Sequence, residues 1–158
     1  MRYIFGEFVA DLVMLNPRNY VLAGDIGYGV FDRLRAENPD HFINVGICEQ
    51  SMVSMAAGMA LQGLIPWVYT ITPFLIERAF EQIKIDVAAQ NANVMLAGYA
   101  DYPEQGVTHA EIDAPKLMAL LPEIRSFFPD TGETLFEALE EMCVDDGPAF
   151  ISLKKAPQ

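Results

Sequence analysis

Six short apolar runs, separated by turn signals and helical stretches, most constrain how this chain can fold. They are Tyr20–Ala23, Phe42–Val45, Ile65–Ile71, Asn93–Gly98, Ile124–Phe128 and Ala149–Leu153. Their lengths and their β-branched and aromatic content read as buried strands. Between them lie helical patterns. Residues 4–16 carry Phe8, Val9, Leu12, Val13 and Leu15 at near-helical spacing, and Asn16-Pro17 stops the run. A short charged helix is expected over 30–38 and an apolar one over 48–62, with Gly63 as its C-cap. Pro73 opens a helix over 74–90 that should turn Phe74, Ala79, Phe80, Ile83 and Val87 largely inward. Shorter helices follow over 112–120 and 131–142, the last with Leu135, Leu139 and Met142 inward. One helix followed by repeated strand–helix units implies an α/β fold: a doubly wound, mainly parallel six-stranded sheet with helices on both faces. The 158 residues make one domain, and the 52% hydrophobic content suits a sheet covered twice.

Within this frame one acidic residue stands in almost wholly apolar company. Glu49 follows the run Phe42–Val45 and a tight turn at Gly46, and it precedes Met52-Val53-Ser54-Met55-Ala56-Ala57. That puts it at a strand-to-helix junction, where open α/β sheets place their ligands. A carboxylate in such surroundings loses solvation and should hold its proton more tightly. A helix N-terminus favours the anion, but on the order of 1 kcal/mol is too little to offset full burial. The plain alternative is a first-turn glutamate facing water.

The turn Gly24-Asp25-Ile26-Gly27-Tyr28-Gly29 does not have the glycine spacing of a dinucleotide-binding loop. Cys48 and Cys143 have no metal-ligand spacing and form no disulfide framework. The net charge of −12 and pI of about 4.4 argue against nucleic acid and anionic membranes. Met1–Phe5 lacks the apolar core of a secretory leader, and 52–61 is too short to span a bilayer. A reduced, cytoplasmic setting is expected.

Gly46-Ile47-Cys48-Glu49-Gln50-Ser51-Met52, the segment Pro73-Phe74-Leu75-Ile76-Glu77-Arg78-Ala79-Phe80-Glu81-Gln82-Ile83 and Gly106-Val107-Thr108-His109 together resemble the pyrimidine-binding domain of transketolase-like enzymes. The resemblance runs from about residue 20 to 153 with its blocks in the family's order. It implies thiamine diphosphate as cofactor, with Glu49 as the activating glutamate. Glu49 would hydrogen-bond N1′ of the aminopyrimidine and share a proton with it, so that the 4′ nitrogen can take the C2 proton of the thiazolium. A two-carbon unit would then move from a ketose to an aldose. The resemblance also puts Ile47 and Asp25 beside the cofactor and an aromatic, Phe74, against its pyrimidine ring, with Phe80 a second candidate. Arg78 resembles an arginine of the deoxyxylulose-phosphate synthase branch. His109 matches a histidine at the substrate funnel.

Each of these residues has a plainer reading too: a turn aspartate, core aromatics, a solvent-facing arginine, a loop histidine. His41 reads as a surface residue. Where transketolases carry Gly-Pro-Thr-His this chain has Val107, and Gln105 replaces an aspartate that touches substrate hydroxyls, which puts the sugar specificity in doubt. Ile26 breaks the Gly-Asp-Gly motif that holds Mg²⁺ in the family. Diphosphate and Mg²⁺ are therefore expected on a partner subunit, in an assembly of two copies of each. The chain ends after its sixth strand, so no C-terminal transketolase domain is expected within it. Helices 48–62 and 74–90 are candidate interfaces. A different carboligase or a non-catalytic regulatory subunit are the rival readings.

Overall fold

The computed structural model describes residues 1–99, 106–110 and 113–153. Its elements run α1 (Arg2–Leu15), β1 (Asn19–Ala23), α2 (Asp32–Glu37), β2 (Phe42–Asn44), α3 (Glu49–Leu61), β3 (Ile65–Ile71), α4 (Thr72–Ile76), α5 (Phe80–Gln82), β4 (Met95–Tyr99), α6 (Ala114–Met118), β5 (Arg125–Phe127), α7 (Gly132–Met142) and β6 (Ala149–Leu153). The six strands form one sheet in the order β2-β1-β3-β4-β6-β5, and every neighbouring pair is parallel. This is the fold expected from the alternating pattern.

The two-residue period of the strands sorts their side chains into two cores. Val21, Trp67, Tyr69, Met95, Ala97, Ala149 and Ile151 pack on one face against Phe5 and Val9 of α1, Leu34 of α2 and Leu135 of α7. Leu22, Val68, Leu96 and Phe150 pack on the other, against Met52, Val53 and Ala56 of α3 and Leu75 of α4. Both faces being covered explains why the strands read as near-continuous apolar runs.

The expected C-cap of α3 is realised. Gly63 has φ +83°. Its N–H donates to the Ala60 carbonyl while that of Leu64 donates to the Met59 carbonyl, a Schellman ending for α3. At the start of α7, Thr131 and Thr134 exchange side-chain and backbone hydrogen bonds.

At the N-terminal end of the sheet a buried polar contact ties α1 to two strands. Trp67 Nε1 donates to Asn19 Oδ1 at 2.9 Å, and Asn19 Nδ2 donates to the carbonyls of Asn16 and Leu12. Replacing Trp67 by phenylalanine keeps an aromatic ring but strands the Asn19 oxygen. The expected cost is about 1–3 kcal/mol in a urea titration; an unchanged midpoint would show that the bond is dispensable.

Three expectations fail here. The helix over 74–90 is not continuous. The N–H groups of both Glu77 and Arg78 donate to the Pro73 carbonyl, α4 ends, α5 is one short turn, and Ile83–Ala88 is wound as a π-helix. The four-residue spacing of buried Ala79, Ile83 and Val87 suits this wider winding. Phe74 and Phe80, expected inward, are only half-buried. His41 is not a free surface residue: its Nδ1 lies 2.8 Å from the Asn19 carbonyl oxygen and its ring stacks on Tyr20 at 4.5 Å.

Candidate functional site

The strand order reverses between β1 and β3, and the carboxyl ends of these strands flank the crevice where doubly wound sheets bind ligands. Backbones approach closely here. A Cβ on Gly24 would lie 3.0 Å from Thr70 Oγ1 and 3.5 Å from Met52 Cε, so any larger residue would press on the Thr70 side chain.

The ends of β1 and β2 are locked by a side chain that sequence reasoning passed over. Asn44 Oδ1 accepts from the backbone N–H of Asp25 and of Gly46, at 3.1 and 3.0 Å, and Asn44 Nδ2 donates to Asp25 Oδ1 at 3.2 Å. An asparagine just ahead of a turn glycine was the available signal. Asp25 is exposed and takes φ +56°, and Gly46 has φ +76°. The two turns present Ile47, Cys48 and Glu49 in succession. Ile47 is exposed, and the Cys48 thiol donates back to the Val45 carbonyl at 2.9 Å.

Glu49 opens α3 and is only 1% exposed. Its surroundings are not wholly apolar, which corrects the expectation from sequence. Arg78 Nη1 donates to Glu49 Oε2 at 2.9 Å, reaching across 29 residues of chain. Burial of a carboxylate is costly unless it is paired, and the guanidinium supplies the pair. The other oxygen, Oε1, is buried with no hydrogen-bond partner among the described residues. A cleft of about 270 Å³, lined by Ile47, Cys48, Glu49, Gln50, Ser51 and Arg78, opens at this end of the helix.

The break between α4 and α5 delivers Arg78 to this point. Its guanidinium carbon sits 4.0 Å from the centroid of the Phe74 ring. Phe74 in turn meets His109 at 4.8 Å between centroids, with the rings 68° apart. His109 Nδ1 lies 3.0 Å from Thr108 Oγ1. The structure thus brings Glu49, Arg78, Phe74 and His109 into one contiguous chain of contacts. Asp25 pairs with Asn44 instead, and Phe80 packs against the core on the α3 side. Gln105 lies outside the described residues. Among the described residues no group of three histidine, cysteine or acidic side chains could hold a metal ion.

Chemically, the cluster offers a buried acceptor at Glu49 Oε1, a cation and an aromatic surface beside it, and an imidazole at the end of the line. This suits a planar, hydrogen-bonding heterocycle.

Residues 1–157 match the family model described as transketolase, pyrimidine binding domain. The chain belongs to that family. Family membership implies dependence on thiamine diphosphate, and a buried carboxyl with one oxygen unpartnered among the described residues fits a proton shared with that cofactor's pyrimidine. The domain is 39% identical over 127 residues to one subunit of the apulose-4-phosphate transketolase of Actinobacillus succinogenes, covering 77% of this chain and 41% of that protein. It is 36% identical over 137 residues to a 1-deoxy-D-xylulose-5-phosphate synthase of Rhodococcus erythropolis, covering 85% of this chain and 20% of the synthase. Among solved structures, a split-gene transketolase described as an inactive β4 tetramer superposes with a TM-score of 0.86 at 29% identity, over 99% of this chain and 52% of that one. The domain therefore spans about half or less of the length of these relatives.

Proposed function

We propose that this domain is the pyrimidine-binding part of a split, thiamine diphosphate-dependent transketolase-like enzyme. It transfers a two-carbon ketol unit from a ketose to an aldose, the substrates being sugars or sugar phosphates. The diphosphate and Mg²⁺ are held by a partner subunit, in a cytoplasmic assembly of two copies of each. The observation that carries the reading is the half-satisfied carboxylate of Glu49, buried at the start of α3 with one oxygen paired and the other free of partners among the described residues. The similarity to one subunit of a multi-subunit transketolase supports a two-subunit enzyme, and the split-gene transketolase supports an assembled tetramer.

When bound, thiamine diphosphate supplies the carbanion chemistry of the transfer. Glu49 would hydrogen-bond N1′ through a proton shared between the two, in a site from which burial excludes water. Phe74 offers a ring for the pyrimidine to stack on, worth roughly 0.5–1.5 kcal/mol beyond burial. Ile47 lines the same cleft as Glu49, Asp25 would approach the cofactor from the turn after β1, and Phe80, packed on the α3-side core, would lie behind the site. Arg78 belongs to the same site. His109, at the outer end of the cluster, faces the incoming sugar and serves in proton transfer at its hydroxyls. A second reading, a deoxyxylulose-phosphate synthase-like carboligase, is favoured by Arg78 and by the 36% identity to such a synthase.

Calorimetric titration of thiamine diphosphate with Mg²⁺ tests this, into the domain alone and into its mixture with a subunit carrying a Gly-Asp-Gly and asparagine motif. Binding is expected in the mixture only. Tight binding to the isolated domain would contradict the assignment of the diphosphate to a partner. Products from a panel of ketose and α-keto acid donors with aldehyde acceptors then separate the two readings.

A further inference from the structure

Arg78 makes the two contacts expected of the cofactor's pyrimidine. Its planar guanidinium donates at 2.9 Å to the buried Glu49 carboxylate, the group that would share a proton with N1′, and its central carbon lies 4.0 Å from the centroid of the Phe74 ring, where a stacked pyrimidine would lie. One face of Phe74 and one oxygen of Glu49 are thereby taken by the protein itself. We infer that Arg78 is a stand-in for the aminopyrimidine: it occupies the pyrimidine position in the cofactor-free domain and swings out when the cofactor enters. This rests on the reading of the site proposed above, but assigns Arg78 the opposite sign from a cofactor ligand.

The chemistry favours such a device. Glu49 is 1% exposed, and left without a cation its charge would be stranded in the interior before the cofactor arrives. A guanidinium is weakly hydrated, planar and suited to lying on an aromatic face while holding a carboxylate at its edge. The Arg78 side chain is 40% exposed, so it has a path to solvent that Glu49 lacks. It also sits on the turn between α4 and α5, where the helical ladder is interrupted and a side chain can move without unwinding a helix. Entry of the cofactor would exchange a planar cation for a planar ring, Glu49 taking up from solvent the proton that it then shares with N1′, and the ion pair is what the cofactor must displace.

The linkage gives the sign. A ligand whose site is occupied most of the time by a competing conformer binds more weakly by the fraction of time the site is open. Arg78→Met removes the competitor, and with the occupied state favoured ten to one the apparent affinity for thiamine diphosphate would rise about tenfold. The test measures cofactor association, with Mg²⁺ present, on the domain assembled with its diphosphate-binding partner. Arg78→Met is expected to bind about tenfold tighter than wild type, chiefly through faster association. Because this variant strands the Glu49 charge and puts folding at risk, Arg78→Lys is measured beside it. Lysine keeps the cation but has no planar group to lie on Phe74, so faster association is expected there too. In wild type, the ¹⁵N-labelled Arg78 Nε–H resonance should shift and narrow when cofactor is added. Weaker or unchanged binding in the folded variants would overturn the stand-in role and leave Arg78 a cofactor contact or a bystander. Failure of the wild-type assembly to bind the cofactor would overturn the functional reading, and this inference with it.

Discussion

Replacing Glu49 by glutamine slows ketol transfer by about 10²–10⁴-fold, the range spanned by a positioned acid–base group, while the domain remains folded. Glutamine matches glutamate in shape, so the cavity at the start of α3 stays filled. Its carbonyl oxygen still accepts from Arg78, whose side chain is 40% exposed and is not stranded by loss of the negative charge. What is lost is the ability to share a proton with N1′. A steady-state assay of the assembled enzyme, with circular dichroism as the folding control, reads both parts of the expectation. Turnover within a factor of a few of wild type would remove Glu49 from its assigned role. Loss of folding would show instead that the Glu49–Arg78 pair is structural.

The second large effect concerns stability, and its direction runs against intrinsic propensity. Gly6 lies inside α1, where replacing glycine by alanine ordinarily stabilises a helix by up to about 1 kcal/mol. In this fold a Cβ on Gly6 would lie 2.1 Å from the carbonyl oxygen of Val30 and 2.9 Å from its Cγ1. That oxygen belongs to backbone fixed by the bonds from Val30 and Phe31 N–H to the Gly27 carbonyl, so it cannot simply turn away. The helix must move instead. Its neighbouring Phe5 is fully buried and meets Phe31, Trp67 and Tyr69 at 5.7 to 6.0 Å, so any shift disturbs a cluster of four rings. Overpacking of this kind costs about 1–3 kcal/mol or more, and against backbone the upper end applies. The clash outweighs the propensity gain, and Gly6→Ala should lose on the order of 2 kcal/mol net, or roughly 4–8 °C in Tm for a domain of this size. A rise in Tm would mean that α1 docks less closely than described.

Most of the architecture was legible in the sequence because the four central strands, β1, β3, β4 and β6, are buried on both faces. Val21 and Leu22, or Trp67 and Val68, serve opposite cores, so β1 and β3 read as unbroken apolar runs bounded by glycine and proline. The start of α3 was legible for a related reason: one acidic residue among small apolar ones, directly after a turn glycine. The pairing of Glu49 with Arg78 was not, because it joins positions 29 residues apart on different elements. No spacing rule brings them together, and an arginine on a helix reads as solvent-facing by default.

The interruption of the helix after Ile76 was hidden for a similar reason. Proline at its first turn is an ordinary start signal, and nothing in Leu75-Ile76-Glu77 announces that two N–H groups will share the Pro73 carbonyl. Yet this widening lets Arg78 face Glu49 while Ala79 and Ile83 stay in the core. Asn44 was overlooked because its role is to accept from two turns at once, which becomes visible only when β1 and β2 lie side by side.

The most direct test of the central claim is a structure of this domain assembled with its diphosphate-binding partner and thiamine diphosphate. The expected result is the pyrimidine N1′ within hydrogen-bonding distance of the Glu49 carboxylate, about 2.6–3.2 Å, with the ring beside Phe74. A cofactor bound with its pyrimidine away from Glu49, the carboxylate still held by Arg78 alone, would contradict it.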